Sequence, residues 1–396
     1  MLSFIHEKDQ CTGCGACVAI CPLDCITLVS DDEGFTYPEA DSRCVDCGKC
    51  RDVCPMLRHI DRTEAGFETF CVAARHVDHA VWEKSSSGGA FSAICEAYCN
   101  NGDVIFGAKF EGLRVVHDYV CSVDEIAAFR KSKYVQSDPR SSYRVARDML
   151  AGGRKVLFSG TPCQIAGLRS VLGKEYDNLL CVDLICHGVG SPKVFERYIE
   201  YLEVKYRSRM SSFTFRNKKQ KMCGRFLEYI VGLEFEDGTR IELESDLYNR
   251  GFMQGLFSRP SCSECMFANM NRVGDITLGD LKGRYDVLPK AEGMENLSTV
   301  IVNTSKGREV FQLLDQYMYL YPVATEEVVR TQDRLRQPQS MSERREDFFE
   351  DLSLGVPIDK ALRKHVVAAG LMRSMWHWLP DRLRYDIKRR LRWIRT

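Results

Sequence analysis

Eight cysteines fall into two runs with the same internal spacing: Cys11, Cys14, Cys17 and Cys21-Pro22, then Cys44, Cys47, Cys50 and Cys54-Pro55. A C-x2-C-x2-C-x3-C-P run gives three thiolates to one 4Fe-4S cubane and sends its last cysteine to the cluster of the other run. The expected ligands of a first cluster are therefore Cys11, Cys14, Cys17 and Cys54, and those of a second are Cys44, Cys47, Cys50 and Cys21. Zinc also takes C-x2-C pairs, but a structural zinc site is complete with four ligands and has no use for a third cysteine at the same spacing followed by Cys-Pro. Residues 1–60 read as a bacterial-type two-cluster ferredoxin module.

A second constellation is scattered. Cys163 sits in Gly160-Thr161-Pro162-Cys163-Gln164, where a strand gives way to a helix, with Thr161 as N-cap and Pro162 in the first helical position. Helix N-termini favour negative charge, a thiolate included. Cys186 follows the next strand in the same way, and Cys262 and Cys265 form a C-x2-C pair. Spacing alone leaves two readings open, a third metal site or a set of buried thiols. Cys25, Cys71, Cys95, Cys99, Cys121, Cys181 and Cys223 share no ligand spacing and read as small buried hydrophobes.

The elements that must hold these residues follow from periodicity. At 396 residues the chain has room for two or three domains in all, and the first module, ending near residue 60, leaves most of it for something else. Residues 61–70 are polar and aperiodic, which reads as a boundary. Apolar Phe91, Ile94, Cys95 and Tyr98 predict a helix opened by Ser85–Gly89, and residues 104–110 and 115–120 predict strands. From Lys155 the order is strand, helix, strand, helix, the pattern of an α/β layer with parallel pairing. Asp237-Gly238 suits a two-residue hairpin turn. Residues 340–396 read as helical throughout. The expected architecture is thus mixed, α+β and α/β: a ferredoxin module, a mixed α/β body and a helical C-terminal tail.

Composition excludes several classes. Lysine plus arginine and aspartate plus glutamate number 55 each, so no global field points to nucleic acid. The N-terminal residues lack the charged and apolar regions of a secretory signal, so reduced thiols in a cytoplasmic setting are expected. The tail alternates Trp376, Trp378, Leu379, Leu383 and Ile387 with Arg382, Arg384, Lys388 and Arg389. Such a basic amphipathic helix can lie on a membrane or a partner, or pack its apolar stripe on its own domain.

Seven segments in order carry a resemblance: Ser87-Gly88-Gly89-Ala90-Phe91, Val104–Ala108, Lys131–Ser137, Gly160–Gln164, Ile185–Gly188, Ser261–Cys265 and Gly274–Asp280. Over about residues 70–320 the chain resembles the β subunit of the coenzyme F-420 hydrogenase/dehydrogenase family, which includes 7-hydroxymethyl chlorophyll a reductase. The resemblance implies an N-terminal part over 68–150, a C-terminal part over 151–335 and a helical tail over 336–396. It also implies a third 4Fe-4S cluster on Cys163, Cys186, Cys262 and Cys265, with FAD beside it. Ser87, Gly88, Gly89, Gly107, Ser132, Lys133, Tyr134, Gln136, Ser137, Gly160, Thr161 and Gln164 are then the expected cofactor contacts. No Gly-x-Gly-x-x-Gly follows a strand, so a Rossmann site is unsupported. Leu281-Lys282-Gly283 stand where many bacterial members carry aromatic residues, which leaves the second substrate open.

Cubanes pass single electrons, whereas most reducible organic substrates take pairs, and a flavin converts between them. The expected function is an iron-sulfur flavoprotein oxidoreductase working between a ferredoxin or other redox partner protein and a small-molecule donor or acceptor such as a deazaflavin. The alternative is an electron-transfer subunit without a substrate of its own. His187 and Lys133 are the candidate proton-handling residues, with a turn histidine and a solvated lysine as the plain alternatives. Asp275 and Asp280 are turn residues or pocket contacts.

Overall fold

A computed structural model describes residues 1–58, 60, 64–220, 226–283, 287–288 and 295–367. Cys223 and the tail from Trp376 onward lie outside the described residues. The ferredoxin region holds a helix α1 (Ala16–Ile20), a hairpin of β1 (Ile26–Ser30) and β2 (Thr36–Ala40), and a short α2 (Lys49–Asp52).

The body is built on one eight-stranded sheet. Its parallel centre consists of β4 (Val104–Glu111), β6 (Val156–Ser159), β7 (Leu179–Leu184) and β11 (Ile276–Asp280). Antiparallel strands extend it on both sides: β5 (Arg114–Val120) beside β4, and β12 (Ser298–Val302), β3 (Phe70–His76) and β13 (Met318–Val323) beyond β11. Strands covered on both faces must be apolar along their length, and Val104–Phe106, Val156–Phe158 and Leu180–Val182 are fully buried. Alternation then splits them. Ile105, Leu157 and Leu180 pack with Ala93 and Ile94 of α4 (Ala90–Tyr98), while Phe106, Phe158 and Leu179 pack with α5 (Arg140–Ala151) and α6 (Pro162–Leu172).

Sheet strands come from both sides of residue 150, so the 68–150 and 151–335 parts share one layer. A second, three-stranded sheet of β8 (Met210–Gln220), β9 (Phe226–Phe235) and β10 (Arg240–Leu243) packs with α7 (Pro192–Tyr206). The hairpin between β9 and β10 corrects the expected two-residue turn. Phe235 pairs through its N–H with the Thr239 carbonyl, so Glu236, Asp237 and Gly238 form the loop, with Gly238 left-handed at φ +85°. The region after residue 340 is not helical throughout either. Arg345–Ser353 and Ile358–His365 are helices, separated by a break that contains Gly355 and Pro357.

The ferredoxin module is bolted to this body by donors reaching for its carbonyls. Arg144 donates to the carbonyls of Ala19 (2.8 Å) and Val18 (2.9 Å) and pairs with Asp24 at 2.6 Å. Lys193 donates to the Asp32 carbonyl at 2.9 Å, and Arg345 clasps the Glu33 carboxylate through both terminal nitrogens. Ala16 and Ala19, buried among Tyr143, Ala146 and Ile165, let α1 approach α5 and α6 closely. Among the described residues no helix is long and apolar enough to cross a membrane.

Candidate metal centres

Two short loops of the ferredoxin module and the end of α2 converge on one cavity. It is lined by Cys11, Cys14, Cys17 and Cys54 with Phe4, Ile5, Leu28, Pro38 and Met56. The Cys14 thiol is pushed up to about 12 by burial, then by the nearby Cys163, Cys11 and Cys54, and Cys17 is raised in the same way. Such thiols stay protonated until a metal displaces the proton. Gly13 and Gly15 turn the loop with φ of +66° and +78°.

In the other set of the module Cys44 and Cys47 are exposed, Cys50 is half-buried and Cys21 is buried. Burial, then Cys44 and Cys47, raises the Cys50 thiol, which places the three together. Cys25, read from the sequence as an ordinary buried thiol, is 3.4 Å from Cys21 and feels Cys44 as well.

The scattered cysteines also meet. Cys163 is the second residue of α6, just past β6; Cys186 follows β7; Cys262 and Cys265 lie on the loop that returns toward β11. All four line a second cavity of about 550 Å³, mouth included. Ligand sites of open α/β sheets form beyond the carboxyl ends of parallel strands, and this cavity occupies that place. Burial raises Cys163 to about 11 and Cys262 to about 12 and lifts Cys186 well above its usual value, each with a contribution from one or more other cysteines of the set.

Among the described residues no group of three or more His, Cys, Asp or Glu is gathered tightly enough to hold a single metal ion. What the second cavity does offer is unmet polarity. Arg334 Nη1 and Gln339 Oε1 are buried there with no partner among the described residues. Four buried thiols with an orphaned guanidinium nitrogen suit a bulky anionic group, and a tetrathiolate cluster is one.

The surrounding residues position the ligands. Thr161 and Gln164 form a reciprocal cap at the start of α6, and Thr161 Oγ1 lies 3.2 Å from Cys163 Sγ. Arg272 pairs with Asp183 at 3.2 Å, both nearly inaccessible, and donates to the carbonyls of Phe267, Asn269 and Leu184. That fastens the Cys262–Cys265 loop to the end of β7. His187 lines the same cavity and its Nε2 lies 3.2 Å from the Met253 carbonyl. Its pKa is lowered by burial, against that hydrogen bond and helped by Arg334 and Lys282. Asp275 accepts from Arg169 at 3.1 Å and from the Cys181 N–H at 2.8 Å, and Asp280 pairs with Arg216 at 2.7 Å.

The two cavities share a wall. Thr12 lines both, Cys14 and Cys163 feel each other's charge, and a Cβ on Gly167 of α6 would sit 3.3 Å from Cys14 Sγ. Gln136 spans the wall, donating to the Thr12 carbonyl at 3.1 Å and accepting from the buried Arg259 at 3.0 Å.

The expected cofactor contacts divide into two groups. Gln136, Ser137, Gly160, Thr161 and Gln164 stand at this wall, and Gln164 Nε2 donates to Ser137 Oγ at 3.1 Å. Ser87, Gly88, Gly89, Ser132, Lys133 and Tyr134 gather elsewhere, on loops facing β8. Ser132 N–H donates to Ser86 Oγ at 2.8 Å, Lys131 donates to Asn217 at 2.6 Å, and Lys218 reaches the Ser87 carbonyl at 2.5 Å. Lys133 donates to the carbonyls of Arg130 (2.8 Å) and Ala128 (3.2 Å), and burial, then Lys131, pushes its pKa down to about 7. A lysine held on two carbonyls, as Lys133 is, fits an added anion such as a phosphate. Close approach at two glycines is spent within the protein, since a Cβ on Gly88 would meet the Ala74 carbonyl at 2.0 Å and one on Gly107 the Phe129 ring at 2.9 Å. Tyr134 stacks on Phe252 at 4.5 Å, and Phe252 lies 5.6 Å from His187, joining this region to the second cavity.

Arg259, Arg272, Arg334, Thr12, Gln339 and Cys25 escaped the sequence reading. Only Cys25 carried a visible signal, its closeness in sequence to Cys21.

Residues 153–326 match the family model for the C-terminal part of the coenzyme F420 hydrogenase/dehydrogenase beta subunit, and residues 10–60 match a 4Fe-4S dicluster domain. No curated protein matches the chain. Among solved structures, one of the F420-reducing NiFe hydrogenase complex from Methanosarcina barkeri, after xenon derivatization, is similar at 17% identity with a TM-score of 0.44. That similarity covers 74% of this chain and 96% of the other.

Proposed function

Because residues 153–326 match the C-terminal part of the coenzyme F420 hydrogenase/dehydrogenase beta subunit and residues 10–60 match a 4Fe-4S dicluster domain, we propose that the chain is an iron-sulfur flavoprotein oxidoreductase. The observation that carries this reading is the shared wall: two cavities, each lined by four cysteines, meet at Thr12, Cys14 and Cys163. The outer set (Cys21, Cys44, Cys47, Cys50), the first inner set and the third set (Cys163, Cys186, Cys262, Cys265) would each hold a 4Fe-4S cluster, a carrier of single electrons. The crossed pairing of Cys21 and Cys54 makes the first two sets neighbours, and the wall makes the last two so.

A bound FAD would convert single electrons into pairs for a two-electron substrate. Lys131, Lys133 and Lys218 would hold its phosphates, with Ser132 and the Ser87–Gly89 loop beside them. Lys133, poised near neutrality, can hold or release a proton at Nζ at physiological pH. His187, held on the Met253 carbonyl, orients its ring toward the cluster cavity and Phe252. The exposed Cys44 and Cys47 suit contact with a protein redox partner.

The test is anaerobic purification, release of flavin by acid and a screen of deazaflavin, nicotinamide and quinone acceptors. About one FAD per chain with turnover of one soluble acceptor is expected. Clusters without flavin and without turnover would leave an electron-transfer subunit that feeds a partner enzyme.

A further inference from the structure

Four arginines are buried in the described residues, and three of them sit beside an aspartate: Arg169 with Asp275, Arg216 with Asp280 and Arg272 with Asp183. The fourth, Arg259, is fully buried at 0% exposure and makes no ion pair among the described residues. Its Nε donates to the Cys11 carbonyl at 2.7 Å, Nη1 to Gln136 Oε1 at 3.0 Å and Nη2 to the Thr36 carbonyl at 3.0 Å. All three acceptors are neutral. The rings of Tyr37 and Phe35 lie 4.5 and 5.5 Å from the guanidinium, and the acids near Tyr37, Asp31 and Glu33, are taken by Lys8 and Arg345. A buried cation left without a counter-charge is expensive, so something anionic is expected close by.

The position of Arg259 says what that is. Its side chain grips the carbonyl of Cys11 in the first inner set, while its own carbonyl accepts the N–H of Cys262 in the third at 2.9 Å. It packs so closely on the cysteine loop that a Cβ on Gly13 would come within 2.7 Å of Nη1. Its charge is felt at Cys163 and Cys262. A tetrathiolate 4Fe-4S cluster carries a formal charge of about −2, one unit more negative once reduced. A guanidinium between two such sites favours the reduced form of both.

We propose that Arg259 is the shared counter-cation of the first and third cluster sites, a positioning residue that raises the reduction potentials of both and leaves the second cluster unaffected. This inference rests on the reading that clusters occupy both inner cavities. The second set, with Cys44 and Cys47 in solvent, lies beyond the reach of its hydrogen bonds and in a medium that screens its charge. The consequence is functional. Electrons collected at the exposed set fall toward the pair of sites that Arg259 serves, so the interior holds charge that the surface passes on.

The test uses the full chain, purified anaerobically, with redox titration followed by electron paramagnetic resonance. In Arg259→Met the equilibrium constants for reducing the first and third clusters should fall on the order of tenfold, with the second unchanged. Arg259→Lys keeps the charge and loses the fork, and should stay close to the unmodified protein. Gln136→Glu sets a carboxylate beside Nη1, neutralises the cation where it stands, and should shift both clusters in the same direction as Arg259→Met, so the idea stays testable where Arg259→Met fails to fold. Equal shifts in the Lys and Met variants would assign the effect to hydrogen-bond geometry and overturn the proposal. So would unchanged potentials in Gln136→Glu, or a uniform shift of all clusters. An iron count showing no third cluster would sink the earlier reading instead, while the first cluster's response would still judge Arg259.

Discussion

Within residues 1–60 three cysteines of each set are drawn together by turns a few residues long and the fourth crosses over from the other run, whereas Cys163, Cys186, Cys262 and Cys265 meet because three distant loops leave one edge of a single sheet. The difference teaches where each site is vulnerable. A site made by local turns depends on backbone conformation, as at Gly13 and Gly15. A site made by topology depends on the long-range contacts that fix its loops, above all Arg272 with Asp183.

The sharpest way to break that contrast is Arg272→Met. It leaves Asp183 buried and unpaired, which should cost about 3–5 kcal/mol in unfolding free energy. The iron of the third set should go with it, while the two signals of the ferredoxin region persist; denaturant unfolding and iron counts check both halves.

Next in size is an acid effect centred on His117, which stacks on Phe158 at 5.0 Å with Nδ1 3.4 Å from Ser137 Oγ. Burial pulls its pKa from 6.5 down to about 4, so the unfolded chain takes the proton first. Stability is then fully present above pH 6.5 and falls toward pH 4, by as much as about 3 kcal/mol. His117→Phe should flatten this stretch of the stability–pH curve, and an unchanged slope would reject His117 as its source.

Gly13→Ala tests the local site. Its φ of +66° and the nearby Arg259 both resist a Cβ, and a loss of about 1–3 kcal/mol is expected, read as a lower Tm. The signal of the first cluster should change more than that of the third.

Smallest is Arg43→Ala on the outer face, where Arg43 and Asp41 pair at 2.6 Å with both side chains open to water. Water and salt screen such a pair, so Tm should not move measurably. A clear drop would mean the outer set relies on more than its own turns.

The first module was legible because its ligands are spaced by turns that repeat in the sequence. The alternating strands and helices from Lys155 onward were legible for a similar reason, since burial on both faces leaves continuous apolar runs such as Val156–Phe158, whereas α5 was not read. Strands β3 and β13 were not. β13 contains Pro322, which the sheet tolerates only because that strand lies at an edge, and β3 ends in Arg75 and His76. The hairpin was read with its Asp-Gly but one residue short, because loop length is set by the pairing of Phe235 with Thr239. The third set drew notice through Cys163 and its cap, yet spacing could not say that four cysteines meet. Arg259 and Arg272 were invisible, since an arginine in a loop gains its meaning from carbonyls and carboxylates that only the fold brings near.

The central claim is that the fold gathers a third cluster beside the two of the ferredoxin region. Iron and acid-labile sulfide, counted per chain in anaerobically purified protein and in Cys163→Ala, test it most directly. The account predicts about twelve iron atoms in the unmodified chain and about eight in the variant, with both ferredoxin signals retained. About eight in both would contradict it.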